Sequence, residues 1–157
     1  MELHASGDNL VALAQRAVAL QPAAEAVIQA CRAADELDPS VIEDGRRVVS
    51  AFHRLRDELA RFDADGRSDG PAAGPSDKHD RAELDELDDL LDQHAELVSA
   101  TLRLVLGPRS EANERARREL VGLGRPAARL VGLRDRVRRA AGHKGRPVED
   151  LPTSGWF

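Results

Sequence analysis

The sequence from residue 77 to residue 106, DKHDRAELDELDDLLDQHAELVSATLRLVL, decides the fold class. Leucine and valine recur every seven positions in two neighbouring rows, which pass through Leu84 and Leu90, and Leu87, His94 and Thr101 form a third row beside them. Three adjacent rows make an apolar face that is too wide for a two-stranded coiled coil and is typical of a helix in a bundle core. Acidic residues lie opposite this face and in the first half, where the partly positive N-terminus of a helix stabilises them. The stretch therefore predicts a long helix that packs against other helices.

The composition favours the same fold class for the whole chain. At 157 residues, with 3% aromatic residues and no tyrosine, the chain has the size of one domain and a composition that favours helix over sheet. A single cysteine, Cys31, excludes an internal disulfide. The N-terminal residues lack a signal-peptide pattern, and no run approaches the roughly 20 apolar residues of a membrane span. We therefore expect a cytoplasmic protein.

Two helices precede the central stretch. Apolar residues keep a regular three-four spacing straight through Pro22, which predicts one kinked helix over residues 8–37. Asp38 and Pro39 form a helix cap followed by a proline at the first helical position. Because the connector between the two helices is so short, residues 1–62 are predicted to form an antiparallel helical hairpin.

The second half repeats this plan. Residues 63–78 are rich in glycine, proline, aspartate and serine and predict a flexible linker, and residues 79–142 predict a second hairpin of the same bundle. In the last helix the apolar spacing survives Pro126, but Gly122 and Gly124 stand just before it, so a kink and a true break both remain open. The predicted fold is thus all-α, a four-helix bundle of two antiparallel hairpins, with proline kinks or breaks in the first and last helices.

The sequence holds no motif for catalysis, cofactor binding or metal binding that fits its context. Residues 122–127, GLGRPA, match the spacing of a dinucleotide fingerprint, but they lie between helical segments, whereas that motif follows a strand. The five histidines have no metal-ligand spacing. His94 alone lies on a core row, which favours a hydrogen-bonded core histidine over a buried pH-sensitive group. We expect a protein that is not an enzyme and that takes no cofactor or metal.

Basic residues concentrate in the C-terminal third of the chain. They favour an internal partner, the acidic helix of residues 77–106, and the alternative is binding of an external polyanion or nucleic acid. The candidate polyanion-binding residues are Arg125, Arg129, Arg136, Arg138, Arg139, Lys144 and Arg146.

The C-terminal tail, residues 143–157, ends in the sequence EDLPTSGWF. Its candidate partner-binding residues are Leu151, Trp156 and Phe157, which either fold back onto the bundle or dock into a partner. The tail resembles in kind the acidic, proline-containing tail with a terminal phenylalanine that ends bacterial single-stranded-DNA-binding proteins, and the resemblance covers the tail only. Such a tail implies binding to another protein.

The sequence as a whole predicts a non-enzymatic helical interaction protein: an adaptor, regulator or chaperone that acts through helix faces and the aromatic-ended tail. Its expected partner is another protein, with a homo-oligomer as a further alternative. Binding of nucleic acid or another polyanion by the basic C-terminal helix is the second hypothesis.

Overall fold

The computed structural model describes residues 5–33, 38–68 and 75–145, and all the regular structure in these ranges is α-helical. The helices are α1 (Ala5–Ala33), α2 (Pro39–Ser68), α3 (Pro75–Leu106), α4 (Glu111–Arg118) and α5 (Arg125–Gly145). The prediction of an all-α protein is therefore confirmed. No helix in these ranges combines the length and the low charge that crossing a membrane requires.

The helix starts follow local capping chemistry. At the start of α2, the Ser40 backbone N–H donates to Asp38 Oδ1 at 3.0 Å, as the Asp38-Pro39 pair predicts. At the start of α4, Ser110 Oγ accepts from the Asn113 backbone N–H at 3.1 Å. These bonds satisfy donors that have no partner within the helix.

The helix boundaries differ from the prediction around the expected linker. The prediction assigned residues 63–78 to a flexible linker, but α2 continues to Ser68 and α3 begins at Pro75. A helix gains one backbone hydrogen bond for each added residue, so it can extend beyond its apolar seam. The remaining linker residues, 69–74, lie outside the described ranges, as do residues 34–37 of the predicted first helix.

One hydrophobic core joins α1, α2, α3 and α5. Each of the three sevenfold rows of α3 contributes to it: Leu91 and Val98 from the first, Leu90 from the second, and Leu87, His94 and Thr101 from the third are buried. The largest fully buried side chains are Phe52, Ile28, Leu55, Leu87, Leu90, Leu91, Leu130, Leu133, His94, Val98 and Cys31. Around this core, α2 packs against α1 and α3, α5 packs against α1 and α3, and α4 lies against α3.

Gly45 of α2 packs against Leu102 of α3. A Cβ atom at this position would lie 2.8 Å from Leu102 Cδ2, so a larger residue would require that leucine side chain to shift. The glycine makes room for Leu102, while glycine inside a helix costs about 1 kcal/mol relative to alanine.

Candidate functional site

His94 is a fully buried polar side chain in the middle of α3. Its Nδ1 lies 2.7 Å from the Leu90 carbonyl oxygen. A carbonyl oxygen can only accept, so Nδ1 carries a hydrogen and donates it. In the neutral imidazole, Nε2 is then left as an acceptor that needs a donor.

Gln21 of α1 supplies that donor. Its Nε2 lies 3.1 Å from His94 Nε2 and 3.1 Å from the carbonyl oxygen of Ala127 in α5. Because the Ala127 carbonyl also only accepts, the atom that faces it must be the amide nitrogen, which donates one hydrogen to each neighbour. The Phe52 ring of α2 lies 5.4 Å from the imidazole, centroid to centroid. Side chains or backbone of four helices thus meet around one histidine.

This arrangement suits only the uncharged form of His94. Burial lowers the pKa of the imidazole, and its bond to the Leu90 carbonyl opposes that effect without overcoming it. A proton on Nε2 would also put two donors face to face, since Gln21 already points an N–H at that atom. His94 is therefore the hydrogen-bonded core histidine that the sequence predicts.

The last helical segment is broken rather than kinked. Residues 119–124 are not helical, and Gly122 and Gly124 adopt φ angles of +107° and +62°. Glu25 of α1 holds this break, because its Oε1 accepts from the Leu123 backbone N–H at 3.0 Å. A Cβ atom on Gly122 would collide with the Glu25 carboxylate. In the GLGRPA sequence, Gly122 to Gly124 therefore lie in a loop docked on α1, and Arg125 to Ala127 form the first turn of α5.

The charged side chains that the structure describes on α1 all form ion pairs or hydrogen bonds with other residues of the chain. Arg16 forms a two-pronged ion pair with Glu58 at 2.7 and 2.9 Å, Glu25 binds the α4–α5 loop, and Arg32 donates to the Arg118 carbonyl at 3.4 Å. The other exposed residues of the helix are uncharged. We call the following exposed residues the α1 outer face: Ala12, Gln15, Ala19, Pro22, Ala23 and Ala26. A helix this apolar all round is normally covered on every side.

Two shallow grooves lie between α1 and α2. The upper groove has a volume of about 430 Å³ and is lined by apolar side chains, among them Ala23, Ala26 and Val41, and by the charged residues Asp44 and Arg47. The lower groove has a volume of about 300 Å³ and is lined by Asn9, Ala12, Leu13, Arg16, Glu58, Arg61 and Phe62.

The predicted polyanion-binding residues divide into two groups. Arg136 pairs with Glu86 of α3 at 3.0 Å, and Arg138 lies 3.5 Å from Asp135, so these two have internal acidic partners. Arg125, Arg129 and Arg139 are exposed on α5. The side chains of Lys144 and Arg146 lie outside the described residues, and so do Leu151, Trp156 and Phe157 of the predicted tail site.

The acidic helix α3 has a basic partner that the sequence analysis missed. Arg56 of α2 bonds Asp88 at 2.9 Å and Asp92 at 3.0 Å, and these bonds raise its pKa. The available signal was the position of Arg56, one helical turn after Phe52 and therefore beside the apolar seam. Only knowledge of which helices are neighbours would have paired it with α3.

Within the described ranges, no three histidine, cysteine, aspartate or glutamate side chains are placed to hold a metal ion. Cys31 is fully buried, and burial raises the pKa of its thiol, with Arg117 acting in the opposite direction. The thiol therefore stays protonated and packs as a small apolar group. The chain matches no protein-family model, and no curated protein or solved structure is significantly similar to it.

Proposed function

We propose that this chain is a non-enzymatic helical interaction protein, an adaptor, regulator or chaperone that binds another protein through the α1 outer face and the upper groove. The observation that supports this proposal is the contrast within α1: its exposed arginines, Arg16 and Arg32, have partners in the chain, while the exposed residues of the α1 outer face are alanine, proline and glutamine. Protein interfaces are depleted in charged residues at their centre. The α1 outer face has that character.

The proposed architecture behind this surface is a four-helix bundle of two antiparallel hairpins, with α4 and α5 together in the place of the fourth helix. The order of contacts supports it. Between α2 and α3, Gly45 meets Leu102 and Arg56 pairs with Asp88, so residue numbers rise in one helix as they fall in the other. Between α1 and α2, Arg16 pairs with Glu58, whereas Ala23 and Ala26 line a groove with Val41 and Asp44. The proline kink in α1 belongs to this proposal.

The test is a charge placed in the upper groove. Ala26→Arg keeps helix propensity nearly unchanged and adds a long cation to an exposed position, so the fold should persist while binding is lost. Ala100→Arg, at an exposed position of α3, is the matched control. A protein captured by the full chain is accepted as a partner only if it also binds the full chain when both are purified. Equal binding of that partner by the two variants would exclude this face.

A second function, binding of a polyanion or nucleic acid, is favoured by the exposure of Arg125, Arg129 and Arg139 on α5. Heparin chromatography across a salt gradient tests it, because contacts with phosphate or sulfate give steep salt dependence. Replacing Arg125 and Arg129 by glutamine should lower the eluting salt concentration. The control is Arg103→Gln, since Arg103 is exposed on α3 and pairs with Glu96. Equal elution of the two variants would contradict this second function.

A homo-oligomer and a cytoplasmic location remain predictions from the sequence. The tail residues Leu151, Trp156 and Phe157 remain the proposed second binding element.

A further inference from the structure

We infer that His94, Gln21 and the Ala127 carbonyl form an acid-sensitive latch, which holds α4 and α5 on the rest of the bundle while the histidine is neutral and releases them when it takes up a proton. The latch is a conformational device of the fold. It is independent of the proposed binding surface, because its three residues are not part of the α1 outer face.

One nitrogen atom holds the latch together. Gln21 Nε2 lies 3.1 Å from His94 Nε2 and 3.1 Å from the Ala127 carbonyl oxygen, and it donates one hydrogen to each. On the other side of the ring, His94 Nδ1 donates to the Leu90 carbonyl at 2.7 Å. A single amide group therefore joins α1, α3 and α5, and all three bonds form together only when His94 Nε2 carries no hydrogen.

Neither orientation of the Gln21 amide accommodates a proton on His94 Nε2. If the amide keeps its orientation, its N–H faces the new N–H of the ring, and two donors meet. If the amide turns over, its oxygen accepts from His94 but faces the Ala127 carbonyl, and two acceptors meet. Either way a buried polar group loses its partner, which is costly. Protonation must therefore break the bond of Gln21 to α3 or its bond to α5.

The groups that contact the imidazole carry no charge that could compensate for the added proton. They are the Gln21 amide, the Leu90 carbonyl and the Phe52 ring of α2, which lies 5.4 Å away, centroid to centroid. One turn away on α1, Glu25 bonds the α4–α5 loop, and one turn away on α2, Arg56 bonds two carboxylates of α3. The arginines that flank Ala127 in α5 are exposed. A charged imidazole can therefore be stabilised only by water, which reaches it when a helix moves away.

The segment of α4 and α5 is the part of the bundle that is held least firmly. No residue of α4 is buried, and residues 119–124 between the two helices are not helical. Polar bonds fix the start of α5 to α1 at two points, from Gln21 to Ala127 and from Leu123 to Glu25. In contrast, α2 is one continuous helix of 30 residues with ion pairs to both of its neighbours.

Segments with few buried contacts open at a lower free energy than the rest of a fold. The side chains that α5 itself buries keep it in place at neutral pH. Loss of the Gln21 bond removes one of the two polar bonds at its start. We therefore expect α4 and α5 to open before the other helices separate, and this opening to admit water to His94.

Hydrogen exchange of the full chain at about pH 7.5 and about pH 5.5, read by mass spectrometry, tests the latch. The readout is the protection factor, in which the effect of pH on the exchange chemistry cancels. Amides of α5 should be less protected than those of α2 at both pH values. The protection of α5 should fall about tenfold between the two, because opening lets His94 titrate with its ordinary pKa of 6.5. His94→Leu should abolish this fall, and His53→Gln is the matched control, since it removes an exposed histidine of α2.

Three results would overturn the inference. One is protection of α5 that does not change between the two pH values. Another is equal protection of α5 and α2, which would mean that α5 opens only when the whole chain unfolds. The third is a fall in protection that persists in His94→Leu. The first two are measured on the wild type, so they decide the matter even if His94→Leu does not fold.

Discussion

The buried His94 should make the stability of this protein depend on pH in a predictable direction. In the folded chain its pKa is lowered by burial, while the unfolded chain has the ordinary histidine pKa of 6.5. As the pH falls below 6.5, His94 therefore binds a proton in the unfolded state but not in the folded state. The contribution of His94 to stability is present above pH 6.5 and is lost as the pH falls toward the folded-state pKa.

The size of this effect follows from one proton. If His94 stays neutral in the folded chain, the free energy of unfolding falls by about 1.4 kcal/mol between about pH 7.5 and about pH 5.5. This window lies above the range in which Glu58 titrates, because Arg16 lowers the pKa of that carboxyl below 4.5. Acid titration of that ion pair therefore does not contribute to the difference.

Urea unfolding of the wild type and of His94→Leu at the two pH values measures the effect. The variant lacks the titrating group. The decrease in its free energy of unfolding over this pH interval should therefore be about 1.4 kcal/mol smaller than the decrease in the wild type, whatever its stability at neutral pH. His53→Gln is the matched control, since it removes an exposed histidine of α2. Equal pH dependence of the wild type and His94→Leu would refute the assignment of a neutral, proton-excluding His94.

Three further predictions test the packing of the bundle. Gly122→Ala should lower the free energy of unfolding by about 1–3 kcal/mol, because the φ of Gly122 is +107° and the new Cβ would meet Glu25. Gly132→Ala should instead raise it by about 0.5–1 kcal/mol, because Gly132 lies inside α5 with open space around it. Thermal or urea unfolding measures both. Phe52→Ala, at a fully buried position, should cost about 3–5 kcal/mol, and an unchanged melting midpoint would contradict its place in the core. Arg56→Gln should cost at most about 1 kcal/mol and lose its effect in high salt, since its ion pairs are partly exposed.

The sequence was sufficient for features that depend on one helix at a time. Seven-residue spacing predicted the buried rows of α3, and the Asp38-Pro39 pair predicted the start of α2, because periodicity and capping are local. His94 could be placed in the core for the same reason. The boundaries near residue 63 were wrong because a helix can continue in water after its apolar seam has ended.

Features that join different helices could not be predicted in this way. The bond from Glu25 to the Leu123 backbone and the pairs of Arg56 with α3 depend on which helices become neighbours and at what register. Glutamate and arginine at these positions are indistinguishable in sequence from solvated surface residues. The α1 outer face could not be recognised either, since the partners of Arg16 and Glu25, Glu58 and the Leu123 backbone N–H, lie on other elements of the chain.

The two prolines that interrupt the helical pattern lie at the same level of the structure. Gln21 directly precedes Pro22 in α1, Ala127 directly follows Pro126 in α5, and the Gln21 side chain donates to the Ala127 carbonyl at 3.1 Å. Pro126 is in the first turn of α5, where a missing N–H costs nothing, but Pro22 lies inside α1 and removes a backbone hydrogen bond there. Gln21, next to that weakened turn, ties α1 to α3 through His94 and to α5 through the Ala127 carbonyl. A polar contact between helices therefore reinforces α1 where its own backbone bonding is weakest.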